Sequence, residues 1–200
     1  MLVLKKIAIT GGIASGKTTA CHILEKHGAY VLYSDEIIHQ LFKEDPSTKS
    51  SALELLGPDI LTKKEIDRKK VADIVFNDNE KLRALEKLLH PKLLKRIDEI
   101  YHQVSHDKTY NLFVVEIPLI QEIGKEKTFD LVVAVTAKEA IAKERFKEKG
   151  FPEEMYNKRM QRQWNISKKK EHADHVIENN GTKQELEKHI LRLIKEIHSK

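Results

Sequence analysis

The amino-acid sequence predicts an α/β fold in which five parallel strands form one sheet with helices on both faces. Short apolar runs rich in strand-forming residues recur along the 200-residue chain and alternate with segments of helical periodicity. These runs are continuously apolar, which is typical of strands buried on both faces of a parallel sheet. The first run leads into a glycine-rich turn and then a helix, as in a βα unit.

Length and composition favour one sizeable domain without a membrane anchor. Charged residues make up 34% of the chain and aromatic residues 6%, and no apolar run approaches the roughly 20 residues that cross a bilayer. The N-terminus leads directly into the first strand, so no signal peptide is expected. Cys21 is the only cysteine, which excludes an internal disulfide and is compatible with a reducing cytoplasm.

The chain is basic, with a formal charge of +5 and a pI of about 9.1. Such a balance fits a nucleic-acid partner, an anionic small-molecule substrate, or simply a solvated basic surface. Lysine and arginine are spread along the chain, and the run at 168–170 is the one exception. Composition alone leaves all three interpretations open.

The strands and most helices can be placed from local signals. Strands are predicted at residues 3–10, 29–33, 111–117, 131–135 and 175–177. Helices are predicted over residues 18–27, over 137–149 after Thr136, and over 152–164. Two more are predicted to begin after the cap residues Ser34 and Asp35 and after the capping box Thr182–Glu185. A polar stretch covers residues 165–174.

Residues 45–107 are predicted to form an all-helical insert between the second and third strands. We expect Ser47 to cap a helix that ends at residues 57–58, Asp67 to cap a helix over 68–76, and Asp78 to open a helix over 79–89. Pro91 would then begin a further helix, since its missing N–H costs nothing in a first turn. The sheet core is accordingly assigned to residues 1–44, 108–149 and 173–200, and a lid to 150–172.

Residues 11–18 fit the pattern G-x-x-x-x-G-K-[ST] of a phosphate-binding loop. Backbone amides in such a loop point at a polyphosphate, and the following helix adds its unpaired N–H donors and dipole. Lys17 can reach the β- and γ-phosphates of a triphosphate, and the Thr18 hydroxyl can ligate Mg²⁺.

Two acidic residues follow strands whose carboxyl ends should meet the loop. Asp35 comes just after the second strand and could accept a proton from an attacking hydroxyl or bind Mg²⁺. Alternatively, it is a simple helix cap. Glu116 ends the third strand and could support the metal, or it could be a charge in the first residues of a loop.

Basic groups on later segments could neutralise a transferred phosphoryl group. Arg145 lies on the helix after the fourth strand, and Arg159 and Arg162 lie on the segment after Pro152. Arginines on a mobile segment can stabilise the charge of phosphoryl transfer as a site closes. His90 could bind a substrate phosphate or form part of a helix junction. The chain has no N-K-x-D and no D-x-x-G switch, so a small-molecule kinase fits best.

With these residues in place, the chain resembles the dephospho-coenzyme A kinase family over nearly its whole length. The phosphate loop departs from the family's T-G-G-I-G-S-G-K-S-T at Ala14 and Thr18, and Tyr33 replaces the first aspartate of V-I-D-A-D. The matching stretches are residues 10–19 (T-G-G-I-A-S-G-K-T-T), 31–35 (V-L-Y-S-D), 88–91 (L-L-H-P), 117–120 (I-P-L-I), 159–163 (R-M-Q-R-Q) and 173–181 (A-D-H-V-I-E-N-N-G).

The resemblance implies transfer of the γ-phosphate of ATP, with Mg²⁺, to the ribose 3′-hydroxyl of dephospho-coenzyme A. The implied catalytic residues are Asp35, Lys17 and Arg145. The implied ATP-binding residues are Gly12, Ile13, Ala14, Ser15, Gly16, Lys17, Thr18, Thr19 and Asn179. The implied substrate-binding residues are Asp35, His90, Pro118, Leu119, Arg159 and Gln163, and the implied metal ligands are Thr18, Asp35 and Glu116.

The resemblance further implies a cytoplasmic monomer or weak homo-oligomer that binds neither nucleic acid nor membrane. A nucleoside or nucleotide kinase shares the architecture and is the rival enzyme. A nucleotide-gated RNA-binding module is the rival without catalysis, although the sequence offers no aromatic platform for bases.

Overall fold

The computed structural model describes residues 4–199, so Val3, at the start of the first predicted strand, lies outside the described residues. The helices and strands follow in chain order as β1 (Lys5–Thr10), α1 (Lys17–Lys26), β2 (Ala29–Tyr33), α2 (Ser34–Glu44), α3 (Pro46–Leu56), β3 (Leu61–Thr62), β4 (Glu65–Ile66), α4 (Arg68–Val75), α5 (Asn79–Val104), β5 (Leu112–Glu116), β6 (Leu131–Thr136), α6 (Glu139–Glu148), α7 (Glu153–Met160), α8 (Ile166–Glu171), β7 (His175–Glu178) and α9 (Lys183–His198). Short 3-10 turns lie at Pro58–Ile60 and Glu126–Thr128.

The five long strands form one sheet in the order β2-β5-β1-β6-β7, which confirms the predicted fold class. β1 is central and pairs in parallel with β5 and β6, so that Ile9 lies beside Glu116 and Thr10 beside Ala134. Residues 7–9 are at most 1% exposed, as expected for a strand covered on both faces. The carboxyl ends of these strands meet at one edge of the sheet, where ligands bind in folds of this kind.

The chain divides into two compact units. The sheet unit comprises residues 4–31 and 104–199 of the described chain, and the helical unit comprises residues 32–103. The helical unit begins earlier than the predicted insert and therefore includes α2. Among the helices of the described residues, none has both the length and the apolar character that a membrane span requires.

The helical unit has its own apolar core, contributed by α2, α3, α4 and α5 and by the segment between α3 and α4. The core residues are Phe42, Ala52, Leu56, Ile60, Ile66, Val71, Val75, Leu85 and Leu89. The expectation that this insert is all-helical is wrong, because β3 and β4 pair as an antiparallel hairpin. A short polar turn joins the two strands. Ile60 precedes the hairpin and Ile66 is its last residue, and both are buried in the core.

The predicted helix boundary at Pro91 is wrong, because α5 runs without a break from Asn79 to Val104 with Pro91 inside it. A proline within a helix costs about 3 kcal/mol through the lost hydrogen bond and the ring clash. Leu85, Leu89, Leu93 and Ile97 form one buried stripe that crosses the proline. Burial of each such side chain contributes about 2 kcal/mol, which outweighs the local penalty.

Several predicted helix caps are also wrong. Asp45, not Ser47, caps α3: its carboxylate accepts the Ser47 N–H at 3.0 Å, with Pro46 in the first turn. Ser34 and Asp35 are the first residues of α2 rather than its caps. Thr136 remains in β6, and α6 begins three residues later. The caps at Asp67 and at Thr182–Glu185 are confirmed.

The Asp45 carboxylate does more than cap a helix. It accepts a hydrogen bond from Lys92 Nζ at 2.8 Å and another from the Thr48 hydroxyl. These contacts, with Lys92 contributing most, hold the pKa of the Asp45 carboxyl well below its usual range. Asp45 therefore connects the start of α3 to the middle of α5 within the helical unit.

The β3–β4 turn provides a test of backbone strain. Lys63 and Lys64 both have positive φ, 51° and 68°, a conformation that costs most residues about 1 kcal/mol each. Two-residue hairpin turns of this kind prefer Asn-Gly. We expect the double substitution Lys63→Asn/Lys64→Gly to raise the free energy of unfolding in urea by about 1 kcal/mol. The charge-matched control Lys63→Gln/Lys64→Gln should give no gain, and an equal gain in the control would contradict a backbone origin.

Candidate active site

The glycine-rich loop leaves β1 at Thr10 and enters α1 at Lys17, and it fits tightly against neighbouring strands. Gly11 has φ 140°, and a Cβ there would lie 1.9 Å from the carbonyl oxygen of Val135 in β6. Gly16 has φ 98°, and a Cβ there would lie 2.1 Å from Nδ2 of Asn179. Only glycine meets both the backbone angle and the close approach at these two positions.

Ala14 lies at the tip of the same loop with φ 52°, in the left-handed region. The family that this chain resembles has glycine at this position. The structure shows the physical cost of alanine, because an L-residue in this region loses about 1 kcal/mol relative to glycine.

Lys17 is the first residue of α1, and its side chain extends across the loop. Its side chain is buried, and Nζ donates to the carbonyl oxygens of Gly11 at 3.2 Å and Gly12 at 2.7 Å. The ammonium is thus held inside the curve of the loop, among the groups that the sequence assigns to a polyphosphate.

Thr18 and Glu116 bring two oxygens together at the carboxyl edge of the sheet. The Thr18 hydroxyl donates to Glu116 Oε1 at 3.1 Å, and Glu116 lies beside Ile9 at the end of β5. Within residues 4–199, no group of three or more His, Cys, Asp or Glu side chains could hold a metal ion. Mg²⁺ fits the Thr18–Glu116 pair nevertheless, because it takes oxygen ligands and usually keeps several waters and phosphate oxygens.

Asn179 fastens the end of β7 to the loop. Its Nδ2 donates to the Ser15 carbonyl at 2.9 Å, and its backbone N–H donates to the Thr136 carbonyl at 2.7 Å. Arg145 of α6 donates in turn to the carbonyl oxygens of Asn179 and Gly181 at 2.9 and 3.3 Å. In this arrangement Arg145 is connected to the phosphate loop through Asn179.

A cavity of about 950 Å³ opens beside the loop within the sheet unit. Its size is that of a site for a small-molecule ligand. Four segments form its wall: the loop, the end of β6 with α6, then α7, and finally α8 with the residues after β7. The lining residues are Gly12, Ile13, Ser15, Thr136, Ala137, Lys138, Glu139, Ala142, Tyr156, Asn157, Met160, Gln161, Asn165, Ile166, Lys170, Glu178 and Asn180.

The predicted lid carries Arg159 and Gln163 on and just after α7. The Arg159 guanidinium lies 5.8 Å from the ring centre of Phe146 and 5.5 Å from that of Phe151. Gln163 Oε1 is buried and has no hydrogen-bond partner among residues 4–199. The assignment of both side chains to the substrate stays a prediction.

Sequence reasoning misses a buried charge behind the loop. Lys169 lies in the basic run at residues 168–170, yet it is fully buried in α8. Its Nζ contacts Glu122 Oε1 at 2.7 Å and the Pro118 carbonyl at 2.9 Å. The sequence contains one signal for this burial. The apolar residue Ile166 precedes Lys169 by three positions, so in a helix both side chains lie on the same face.

Asp35 and His90 belong to the helical unit, and Pro118 and Leu119 belong to the sheet unit. The Asp35 side chain is exposed in the first turn of α2. His90 is half-buried within α5, and burial lowers the pKa of its imidazole. The joint action of these residues with the phosphate loop therefore stays a prediction.

Comparison with known proteins gives a consistent result. A family model described as dephospho-CoA kinase matches residues 5–185. A protein named dephospho-CoA kinase from Chlamydia pneumoniae is 42% identical over 191 residues, 95% of each chain, and one from Chlamydia abortus is 41% identical over 187 residues, 93% of each.

Solved structures agree. A protein from Thermus thermophilus has a TM-score of 0.82 at 28% identity over 98% of each chain, and dephospho-CoA kinase from Campylobacter jejuni has 0.62 at 27% over 96% of each. A shikimate kinase from Acinetobacter baumannii, at 19% identity over 98% of this chain and 96% of its own, has a TM-score of 0.56 and supports the fold alone.

The Gly16–Asn179 contact can be tested by a double-mutant cycle. Gly16→Ala should lower the free energy of unfolding by about 2 kcal/mol or more, since it adds backbone strain and a clash. In an Asn179→Ala background the clash is absent, so the same substitution should cost about half as much. Ala14→Gly serves as the control in the same loop and should not destabilise. Equal costs of Gly16→Ala in both backgrounds would show that the two residues are not coupled.

Proposed function

The chain belongs to the dephospho-coenzyme A kinase family, and from this membership we propose that it transfers the γ-phosphate of ATP to the ribose 3′-hydroxyl of dephospho-coenzyme A. The products are coenzyme A and ADP. The observation that carries the proposal is the phosphate loop at the end of the central strand β1, in a chain that matches the family over residues 5–185.

The loop binds the donor in this proposal. Backbone amides of residues 12–19 surround the phosphates, and the N-terminus of α1 adds further donors. Lys17 Nζ exchanges its contacts with the Gly11 and Gly12 carbonyl oxygens for the β- and γ-phosphate oxygens. The adjacent cavity, which reaches Asn180 and α6, takes the nucleoside part of ATP, and Asn179 fixes the loop against it.

Thr18 Oγ1 and the Glu116 carboxylate would hold Mg²⁺, with Asp35 as a further predicted ligand. The ion would offset the negative charge of the transferred phosphoryl group. The hydrogen bond between Thr18 and Glu116 supports this assignment, because it shows that both oxygens reach one point at the sheet edge.

Asp35 orients the acceptor hydroxyl and takes its proton as the oxygen attacks the γ-phosphate. Its exposed carboxylate, directly after β2, supports this role. His90 binds the acceptor as a neutral imidazole, since burial lowers its pKa, and Pro118 and Leu119 contact the acceptor. Arg159 and Gln163 approach the phosphates when the lid closes, and Arg145 of α6 contributes positive charge for the transferred phosphoryl group.

The compartment and assembly are proposals as well. A single cysteine suits a reducing compartment, so we place the enzyme in the cytoplasm. We propose that it acts as a monomer or a weak homo-oligomer.

An acceptor panel tests the proposed reaction. Purified protein with ATP and Mg²⁺ is given dephospho-coenzyme A, a nucleoside and a nucleoside monophosphate, and ADP formation is measured. Dephospho-coenzyme A alone should support turnover, and Lys17→Ala should lose most of it while keeping its thermal transition. Turnover with the nucleoside monophosphate but not with dephospho-coenzyme A would instead establish the nucleotide-kinase alternative.

The role of Asp35 is tested by Asp35→Asn. Because a general base contributes about 10²- to 10⁴-fold, kcat should fall by about 100-fold or more while KM for ATP stays within a few-fold. Glu36→Gln, one residue further along the first turn of α2 and also exposed, is the matched control and should retain activity. Near wild-type turnover of Asp35→Asn would remove Asp35 from the mechanism.

A further inference from the structure

Behind the phosphate loop, the ammonium group of the fully buried Lys169 lies in a largely buried set of polar contacts. Nζ lies 2.7 and 2.9 Å from the two carboxylate oxygens of Glu122. It also donates to the Pro118 carbonyl at 2.9 Å and to the Thr10 hydroxyl at 3.3 Å. Each of its three N–H bonds therefore has an acceptor within reach.

Lys169 and these partners belong to three different segments of the sheet unit. Thr10 is the last residue of β1 and precedes the phosphate loop, and its hydroxyl donates to the Pro118 carbonyl at 2.9 Å. Pro118 and Glu122 lie in the connection after β5, and Lys169 lies in α8. One ammonium group thus joins the start of the loop to the second half of the predicted lid.

Two neighbours extend this connection along the lid. Glu122 Oε1 also accepts the Trp164 backbone N–H at 2.7 Å. Gln121 is buried, and its Nε2 donates to the carbonyl oxygens of Lys169 and His172 at 3.0 and 2.9 Å. The segment from residue 164 to 172 is therefore fastened at its beginning, middle and end.

The first half of the predicted lid is held differently. α7 packs through Tyr156 against Phe146 and Ala142, and its first turn reaches α6 through an ion pair of Glu153 with Lys143 at 2.8 Å. The side chains of that pair are 65% and 31% exposed. Exposed pairs of this kind contribute little, so α7 is held mainly by side-chain packing, whereas α8 is held by directed hydrogen bonds.

We propose that Lys169 is a positioning residue, which fixes α8 to Thr10 and Pro118 so that closure over ATP moves residues 150–163 and leaves 164–172 in place. The proposal rests on the proposed kinase function in that it concerns closure over ATP. A buried ion pair is often no more stabilising than apolar side chains of the same volume. Its directional contacts do set the geometry of the three segments, which apolar side chains would not.

The test distinguishes an effect of Lys169 on the position of α8 from an effect on the stability of the fold. Lys169→Met removes the charge, and Lys169→Met/Glu122→Leu replaces the whole pair by apolar groups, which restores folding if the single variant is unstable. Both variants should show KM for ATP raised by about tenfold or more, because small displacements at a site reduce its function steeply. The control Lys168→Met, on the exposed side of the same helix, should leave KM unchanged. A folded double variant with KM for ATP and kcat within about twofold of wild type would overturn the proposal.

Hydrogen exchange locates the moving part. In the wild-type protein a non-hydrolysable ATP analogue should slow amide exchange within residues 150–163 and leave 166–172 nearly unchanged. In Lys169→Met/Glu122→Leu the effect of the analogue should spread into 166–172. A uniform effect over 150–172 in the wild type would contradict the proposed division. Absence of turnover with dephospho-coenzyme A would refute the proposed acceptor, whereas the exchange pattern would still decide the role of Lys169.

Discussion

The close packing of the phosphate loop against the ends of β6 and β7 is the constraint on which the rest of the sheet unit depends. At Gly11 the Val135 carbonyl leaves no space for a side chain, and at Gly16 the Asn179 amide leaves none. These contacts hold the loop at both ends, where it leaves β1 and where it joins α1. The position of its amide groups therefore depends on Val135 of β6 and Asn179 after β7 as well as on the loop's own residues.

Two buried lysines near the phosphate loop have different roles. Lys17 donates to carbonyl oxygens within the loop, where a polyphosphate would be bound. Lys169 donates to the Glu122 carboxylate behind the loop, and burial lowers its pKa while Glu122 acts in the opposite direction. Because Glu122 offsets its charge, Lys169 can connect segments without competing with Lys17 for an anion.

Much of the sheet unit was predictable from the sequence, because its signals are local. A continuous apolar run is enough to identify β1 or β5, and the Thr182–Glu185 box identifies the start of α9. The errors arose where a distant contact decides the outcome. α5 continues through Pro91 because a buried stripe crosses it, and the β3–β4 hairpin forms where its neighbours enter an apolar core. Lys169 was missed for the same reason, since its two partner segments, the end of β1 and the connection after β5, are far from it in sequence.

The phosphate loop and the proposed base, Asp35, belong to different compact units. The covalent chain limits which carboxylates could serve as this base. Val31 is the last residue of the first part of the sheet unit, and Asp35 follows four residues later. Even a fully extended connection of that length spans only about 14 Å. Asp45 lies ten residues further along, and its carboxylate is already committed within the helical unit because it caps α3 and accepts a hydrogen bond from Lys92. The Asp35 carboxylate is exposed, and fewer residues separate Asp35 than Asp45 from β2. Asp35 is therefore the better candidate on physical grounds as well as by resemblance.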